Sequence, residues 1–156
     1  MKATLRLKDY LKKNEVKFNI IPHLRTFTAL ETASAEKAPQ WEVAKVVMVK
    51  IRDKDTMFVI PADRQVDLFK LSAELGTDDI HVEEEKEFED LFPDCEQGAM
   101  PPFGALYHIP CYVDVAFENH KEIFFNAGSH EESIQLAMKD YLRLAEAEIG
   151  DYSVPK

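Results

Sequence analysis

Hydrophobic and polar residues alternate along parts of this chain and recur at helical spacing along others, and each pattern predicts an element. Leu7, Tyr10 and Leu11 fall at i, i+3 and i+4 between basic residues, predicting a short first helix that Asn14 closes in the left-handed conformation. Phe18, Ile20 and Pro22 alternate with Lys17, Asn19 and Ile21, an edge strand ending at a proline that cannot donate to a ladder. Thr28 and Glu31 form a capping box, and the alanine-rich run to Ala38 is expected as helix until Pro39 stops it.

The β-branched run at 45–52 turns at Asp53-Lys54-Asp55 into a second run, Thr56 to Pro61, predicting a central hairpin. Side-chain parity puts Lys45, Val47, Val49 and Ile51 on one face, and Val46, Met48, Lys50 and Arg52 on the other. Lys45 therefore lies on the apolar face. It can snorkel out past its neighbours, or project into a cavity at the end of the sheet and meet an anion.

Val66 to Leu75, with Leu68, Phe69, Leu71 and Leu75 on one side and Gly76 after it, predicts an amphipathic helix. A short strand at Ile80 to Val82 follows, then the acidic run Glu83-Glu84-Glu85, expected as solvated residues at the start of a helix bearing Phe88, Leu91 and Phe92. Three further strands are expected at Ala105 to Ile109, Cys111 to Phe117 and Glu122 to Asn126. Asp114 falls out of phase with Cys111, Val113, Val115 and Phe117, as an exposed strand residue or a partner that orients Lys45. Ser129 with Glu132 reads as a capping box opening a long helix whose Ile134, Met138, Tyr141, Leu142 and Ala145 form one stripe. The end of the chain, 148–156, is expected as a flexible tail behind a fraying helix.

Between these elements lies Gly98-Ala99-Met100-Pro101-Pro102-Phe103-Gly104, a segment whose glycines and paired prolines exclude helix and central strand. A stiff loop of this kind can be a plain turn, or can present peptide N–H groups at fixed geometry to an oxyanion or phosphate. Met100 and Phe103 are too apolar for an ordinary turn and need something to cover. Gly128 permits close backbone approach, and Ser129 and His130 sit where a helix N-terminus would favour an anion and a neutral imidazole.

Composition narrows the function classes. At 156 residues, with 46% hydrophobic and 31% charged, the chain fits one globular domain spanning 1–156. No apolar run approaches a membrane span of roughly 20 residues, and the charged N-terminus lacks a signal-peptide core, so a cytoplasmic location is expected. Cys95 and Cys111, without histidines at ligand spacing, predict free thiols and no metal site. The net charge of −10 weighs against broad electrostatic binding of nucleic acid, so any nucleic-acid substrate is gripped by a small part of itself.

With Lys45 at a strand start, the Gly-x-x-x-Pro-Phe-Gly loop at 98–104 and Asn126-Ala127-Gly128-Ser129-His130-Glu131 near the end, the chain resembles the YbaK/EbsC, or prolyl-tRNA synthetase editing-domain-like, family over nearly its whole length. The resemblance implies a mixed α/β fold with a partly barrel-like sheet flanked by helices. It also implies hydrolysis of the ester joining a wrong amino acid to the 3′-end of a tRNA, without cofactor, metal, or Ser or Cys nucleophile. By the same resemblance, water is expected to attack, with the terminal ribose hydroxyl assisting. Lys45 matches the family's required lysine, and Gly98 to Pro102 the loop that helps form the pocket.

On that footing Lys45 holds the terminal phosphate or orients the ester, and amides around Gly98, Ala99 and Met100 line the scissile carbonyl. Pro101, Pro102 and Phe103 shape the pocket with Met100, while Gly128, Ser129 and His130 close its far wall. The implied partner is the tRNA acceptor end, with an aminoacyl-tRNA synthetase as a second. The chain departs from bacterial relatives in Val46-Val47 after the lysine and Ala99-Met100-Pro101 in the loop, so the amino acid cannot be carried over; Ala, Ser, Thr and Cys form the expected set. Two rival readings are a non-catalytic module binding tRNA ends or nucleotides, and a thiol enzyme using Cys95 or Cys111.

Overall fold

A computed structural model describes residues 3–23, 33 and 38–156; the capping box at Thr28 and Glu31 and most of the alanine-rich run lie outside the described residues. The central hairpin pairs β2 (Ala44–Ile51) with β3 (Lys54–Pro61) in antiparallel register from Ala44↔Pro61 to Ile51↔Lys54. Its turn is two residues long, Arg52 and Asp53, both at positive φ (48° and 67°), a type I′ geometry that matches strand twist; the expected three-residue turn is thus one register shorter.

Around this hairpin a five-stranded sheet runs in the order β5-β2-β3-β6-β9, with β5 at Ile80–Val82, β6 at Cys111–Asp114 and β9 at Glu148–Gly150. Its mixed character comes from β6, which lies parallel to both β3 and β9. A second sheet of three strands has β8 (Glu132–Ala137) between β1 (Phe18–Pro22) and β7 (Glu122–Asn126), all antiparallel. β4 (Arg64–Val66) pairs with β10 (Ser153–Pro155). A parallel bridge from Val43 to Phe124 joins the β2 end of the first sheet to β7 of the second.

Helices flank the sheets: α1 (Ala3–Lys13), α2 (Leu68–Leu75), α3 (Glu85–Phe88) and α4 (Met138–Ala145). α1 buries Ala3, Leu7 and Leu11, and its left-handed closing residue is Glu15 (φ 57°); Asn14 instead turns its amide to the Tyr10 carbonyl, 2.8 Å away. The Asp67 carboxylate accepts from the Phe69 and Lys70 N–H groups to start α2. Only Leu71 of α2 is buried, whereas Phe69 is 90% exposed, so the expected apolar stripe is narrower than its sequence.

Several expected elements change identity. Residues 132–137 form the central strand β8, and the helix behind it begins only at Met138, because Ile134 and Leu136 are buried at period two against β1 and β7. Gly104–Tyr107 is a single 3₁₀ turn instead of a strand, and β6 ends at Asp114, where Val115–Phe117 turns as 3₁₀. Asp114 is 1% exposed, with its carboxylate accepting from Ala116 N and Tyr152 N at 2.8 and 3.2 Å. It is neither a surface residue nor a partner of Lys45; it ties the 3₁₀ turn to the chain end. The expected tail at 148–156 is β9 and β10, with Tyr152 and Ser153 buried.

The main core lies between the sheets and α1 and α4, built on Met48, Met57, Val59, Phe103, Phe117, Phe125 and Tyr141. The opposite face of the hairpin carries two smaller clusters: Val49, Phe58, Leu71 and Tyr152 in one, and Ala33, Val43, Ala62 and Phe124 in the other.

One acidic residue departs from expectation. Glu83 is 6% exposed, with its carboxyl 3.7 Å from the Lys50 ammonium, which also lies 3.6 Å from Asp55. Burial and then the neighbouring Asp55 carboxyl push the Glu83 carboxyl up to about 7. A carboxyl whose pKa is raised on folding costs nothing below its unfolded value of 4.5 and costs increasingly as pH climbs to 7. Glu83→Gln is expected to raise Tm above pH 7 and to leave it near wild type below about pH 4.5, read by thermal melts across that window.

Candidate functional site

The Gly98–Gly104 loop is not a surface turn. Ala99, Met100, Pro101, Pro102, Phe103 and Gly104 are all buried, and only Gly98 faces out. The loop begins with a turn from Glu96 to Ala99, closed by the Ala99 N–H on the Glu96 carbonyl at 3.1 Å, with Gly98 at φ 79° in the position that requires glycine. Phe103 then inserts among Tyr10, Phe125 and Tyr141, with ring centroids 5.9, 5.5 and 5.2 Å away in edge-to-face geometry. Tyr141 Oη donates to the Pro102 carbonyl at 2.8 Å. The loop is therefore held from the core side.

Its outer strand is held by the second motif. Gly128 N–H donates to the Ala99 carbonyl at 2.9 Å, and Glu96 N–H donates to the Gly128 carbonyl at 2.8 Å. Gly128 has φ 92°, and a Cβ there would lie 2.4 Å from the Ala3 Cβ, so glycine is dictated by approach to α1. His130 is buried, its Nε2–H donating to the Gln97 carbonyl and its backbone N–H reaching the Glu96 carboxylate at 3.3 Å. The structure thus brings 96–99 and 128–130 together as one braced unit. Because 132–137 is strand, the helix terminus expected to polarise Ser129 and His130 does not exist; Ser129 Oγ accepts from Glu131 N at 3.1 Å in a local turn.

Proline lacks a donor, and the N–H groups of Ala99 and Phe103 are spent inside the loop, on Glu96 and Pro101. Among the described residues the N–H groups of Gly98 and Met100 have no partner. With the Gly104 N–H directed to the Cys111 thiol, two donors on a stiff loop are left over.

Lys45 lies half-buried between the two smaller apolar clusters, flanked on the same face by Val43, just before β2, and Val47. Burial first, and then the nearby Lys156 ammonium, lower its pKa to about 8, while Asp63 pulls the other way. Lys156 is brought there by β10 and by its N–H on the Asp63 carbonyl at 3.1 Å. The described contacts of Lys45 are with these residues and not with the loop. The path to the loop runs along β7, which the Val43–Phe124 bridge joins to the start of β2 and which ends at Asn126, two residues before Gly128. Asp63 and Lys156 were not singled out in the sequence, where Asp63 sits in an ordinary turn and Lys156 ends the supposed tail.

A cleft of about 940 Å³ opens on the far side of Gly128, lined by Thr4, Lys8, Asp94, Glu96, Gly128, Ser129, Glu131 and Glu132 among others. Its carboxylates outnumber its lysine, which makes it a poor seat for a polyanion. The thiols are equally unsuited to attack. Cys95 is pushed up to about 12 and Cys111 to about 11, each mainly by burial, so neither forms a thiolate near neutrality. Among the described residues no cluster of His, Cys, Asp and Glu could hold a metal ion, and no helix is long and apolar enough to cross a membrane.

The mixed α/β fold thus holds a half-buried lysine at the start of β2 and, apart from it, a proline-braced loop with backbone N–H groups left over. The aminoacyl-tRNA editing domain family matches residues 23–144, so the chain belongs to that family, and its activity is the hydrolysis of aminoacyl-tRNA. It is 26% identical over 152 residues to the multifunctional Ser/Thr-tRNA deacylase ProXp-y of Escherichia coli strain K12, covering 94% of this chain and 90% of the relative, and equally similar to that of strain O157:H7. Its fold matches the crystal structure of a candidate trans-editing enzyme for prolyl-tRNA synthetase, with a TM-score of 0.83 at 20% identity over 99% of this chain and 98% of that one. A hypothetical protein's crystal structure superposes with a TM-score of 0.85 at 17% identity, over 96% and 99%.

Proposed function

We propose that this protein acts in trans on a tRNA 3′-end carrying a wrong small amino acid, with Ser and Thr the first candidates, and hydrolyses the ester with water as the nucleophile. The amino acids come from similarity to the Ser/Thr-tRNA deacylase and from the size of the expected set. In this reading Lys45 holds the terminal phosphate, the free N–H groups of Gly98 and Met100 stabilise the oxyanion, and Ala99, Pro101 and Pro102 hold those amides in place. Phe103, Gly128 and His130 brace the loop, and Ser129 holds the local turn beside them. Aminoacyl esters are reactive enough for positioning and oxyanion stabilisation to supply the acceleration without a covalent intermediate.

The observation that carries the reading is Lys45 itself: a partly desolvated ammonium beside a second ammonium, offset only in part by Asp63, is suited to an incoming anion. The acidic surface gives the tRNA body little to hold, so a synthetase that presents the acceptor end is the protein partner this reading favours. A panel of mischarged tRNAs incubated with wild type and Lys45→Ala tests it. Ester cleavage lost in the variant supports the deacylase; binding by wild type without turnover supports the non-catalytic module instead. With Cys95 and Cys111 both changed to Ser, turnover is expected to stay within about threefold of wild type, since neither thiol is ionised; loss of activity on that panel would restore the thiol reading.

A further inference from the structure

Two acceptor oxygens on the segments that meet the start of β2 are buried without a hydrogen-bond donor. Asp63 Oδ1 and Asn126 Oδ1 make no hydrogen bond among the described residues. Asp63 follows Ala62, whose N–H donates to the Val43 carbonyl at 2.8 Å, while Phe124, two residues before Asn126, bridges the same Val43. Both acceptors thus flank the start of β2, where Val43, Ala62 and Phe124 form one cluster on the face that Lys45 shares. Buried acceptors left unpaired cost on the order of 1–3 kcal/mol each, and a carboxylate more, so a site that retains two of them is complementary to a ligand rich in donors.

Resting on the deacylase reading, we propose that Asp63 and Asn126 form the subsite that receives the α-amino group of the aminoacyl ester. That group is the substrate's one cation, with up to three N–H donors on a single atom, and it lies two bonds from the scissile carbonyl. A hydroxyl side chain offers only one donor and a phosphate none, so neither satisfies a carboxylate and an amide oxygen together. The arrangement sorts the substrate by charge: the ammonium end faces Asp63 and Asn126, and the phosphate faces Lys45 and Lys156. A free amino acid would carry a carboxylate where the ester has none, and Lys45 alone would not distinguish these.

The test compares a seryl- or alanyl-tRNA with the matching α-hydroxyacyl-tRNA, made by deaminating the same charged tRNA, each rate divided by its uncatalysed hydrolysis. Asp63→Asn and Asn126→Leu are close in size to the native residues, and Tm of the free proteins is measured alongside. The expected result is a fall in kcat/KM of about 10- to 100-fold on the aminoacyl ester in Asp63→Asn, matching the loss of a charge-assisted hydrogen bond, with the hydroxyacyl ester changed less than about threefold. Tm is expected near wild type in Asp63→Asn, which keeps an Oδ1 acceptor and removes only the charge, and at or above wild type in Asn126→Leu, which removes the orphaned acceptor. Equal losses on the two esters, no loss on either, or a Tm fall that accounts for the activity would overturn the assignment while leaving the deacylase standing. Cleavage of neither ester by wild type would overturn both.

Discussion

Replacing Lys45 with Met is expected to lower kcat/KM for a mischarged tRNA about 100-fold while raising the melting temperature at pH 7. The two effects have one cause. The ammonium is partly withdrawn from water beside Lys156, and its pKa falls from 10.5 to about 8. The unfolded chain therefore binds a proton more tightly than the folded one. The penalty on folding is fully present below pH 8 and fades as pH rises toward 10.5, so the Met variant's advantage in Tm shrinks over that window. A phosphate needs the protonated form, which makes wild-type kcat/KM, after subtraction of base-catalysed background, decline above about pH 8; an interaction of that kind is worth about 10- to 100-fold. A profile flat from pH 7 to 9.5, or a Met variant that melts lower and retains turnover, would show that the lysine only packs.

The elements legible in the sequence are those whose pattern has a single local solution. The β2–β3 hairpin is one, because a β-branched run on each side of a short charged segment fits nothing else, and parity within β2 then determines the face of Lys45. The loop at 98–104 is another, since paired prolines between glycines exclude regular structure. At β8 the sequence is ambiguous, because Ile134, Met138 and Tyr141 fit helical spacing as well as Ile134 and Leu136 fit a strand; only pairing with β1 and β7 decides it. β9 and β10 are three residues each, and they exist because β6 and β4, far away in the chain, offer free edges. The same non-local pairing conceals part of the candidate site. Lys156 reaches Lys45 only through β10, and β7 comes to the start of β2 through a bridge of one residue pair, so neither has a spacing signal to find.

The loop's apolar residues distinguish a pocket wall from a core plug, and Phe103→Ala separates them. If Phe103 lined the amino-acid pocket, removing its ring would admit larger side chains and leave stability nearly unchanged. The ring is instead 1% exposed, packed edge-on against Tyr10, Phe125 and Tyr141, one residue beyond the carbonyl that Tyr141 holds. Truncation empties that space and forfeits three aromatic contacts, and a core Phe→Ala change costs about 3–5 kcal/mol. For a chain of this size that is a fall in Tm of about 10 °C or more. Turnover is expected to drop as well, because the peptide units at 98–100 are positioned by the plug that follows them, and the loss falls on kcat for every amino acid alike. Urea unfolding together with kcat on two esters of different side-chain size checks both halves. An unchanged unfolding midpoint with a shift in preference toward the larger amino acid would return Phe103 to the pocket.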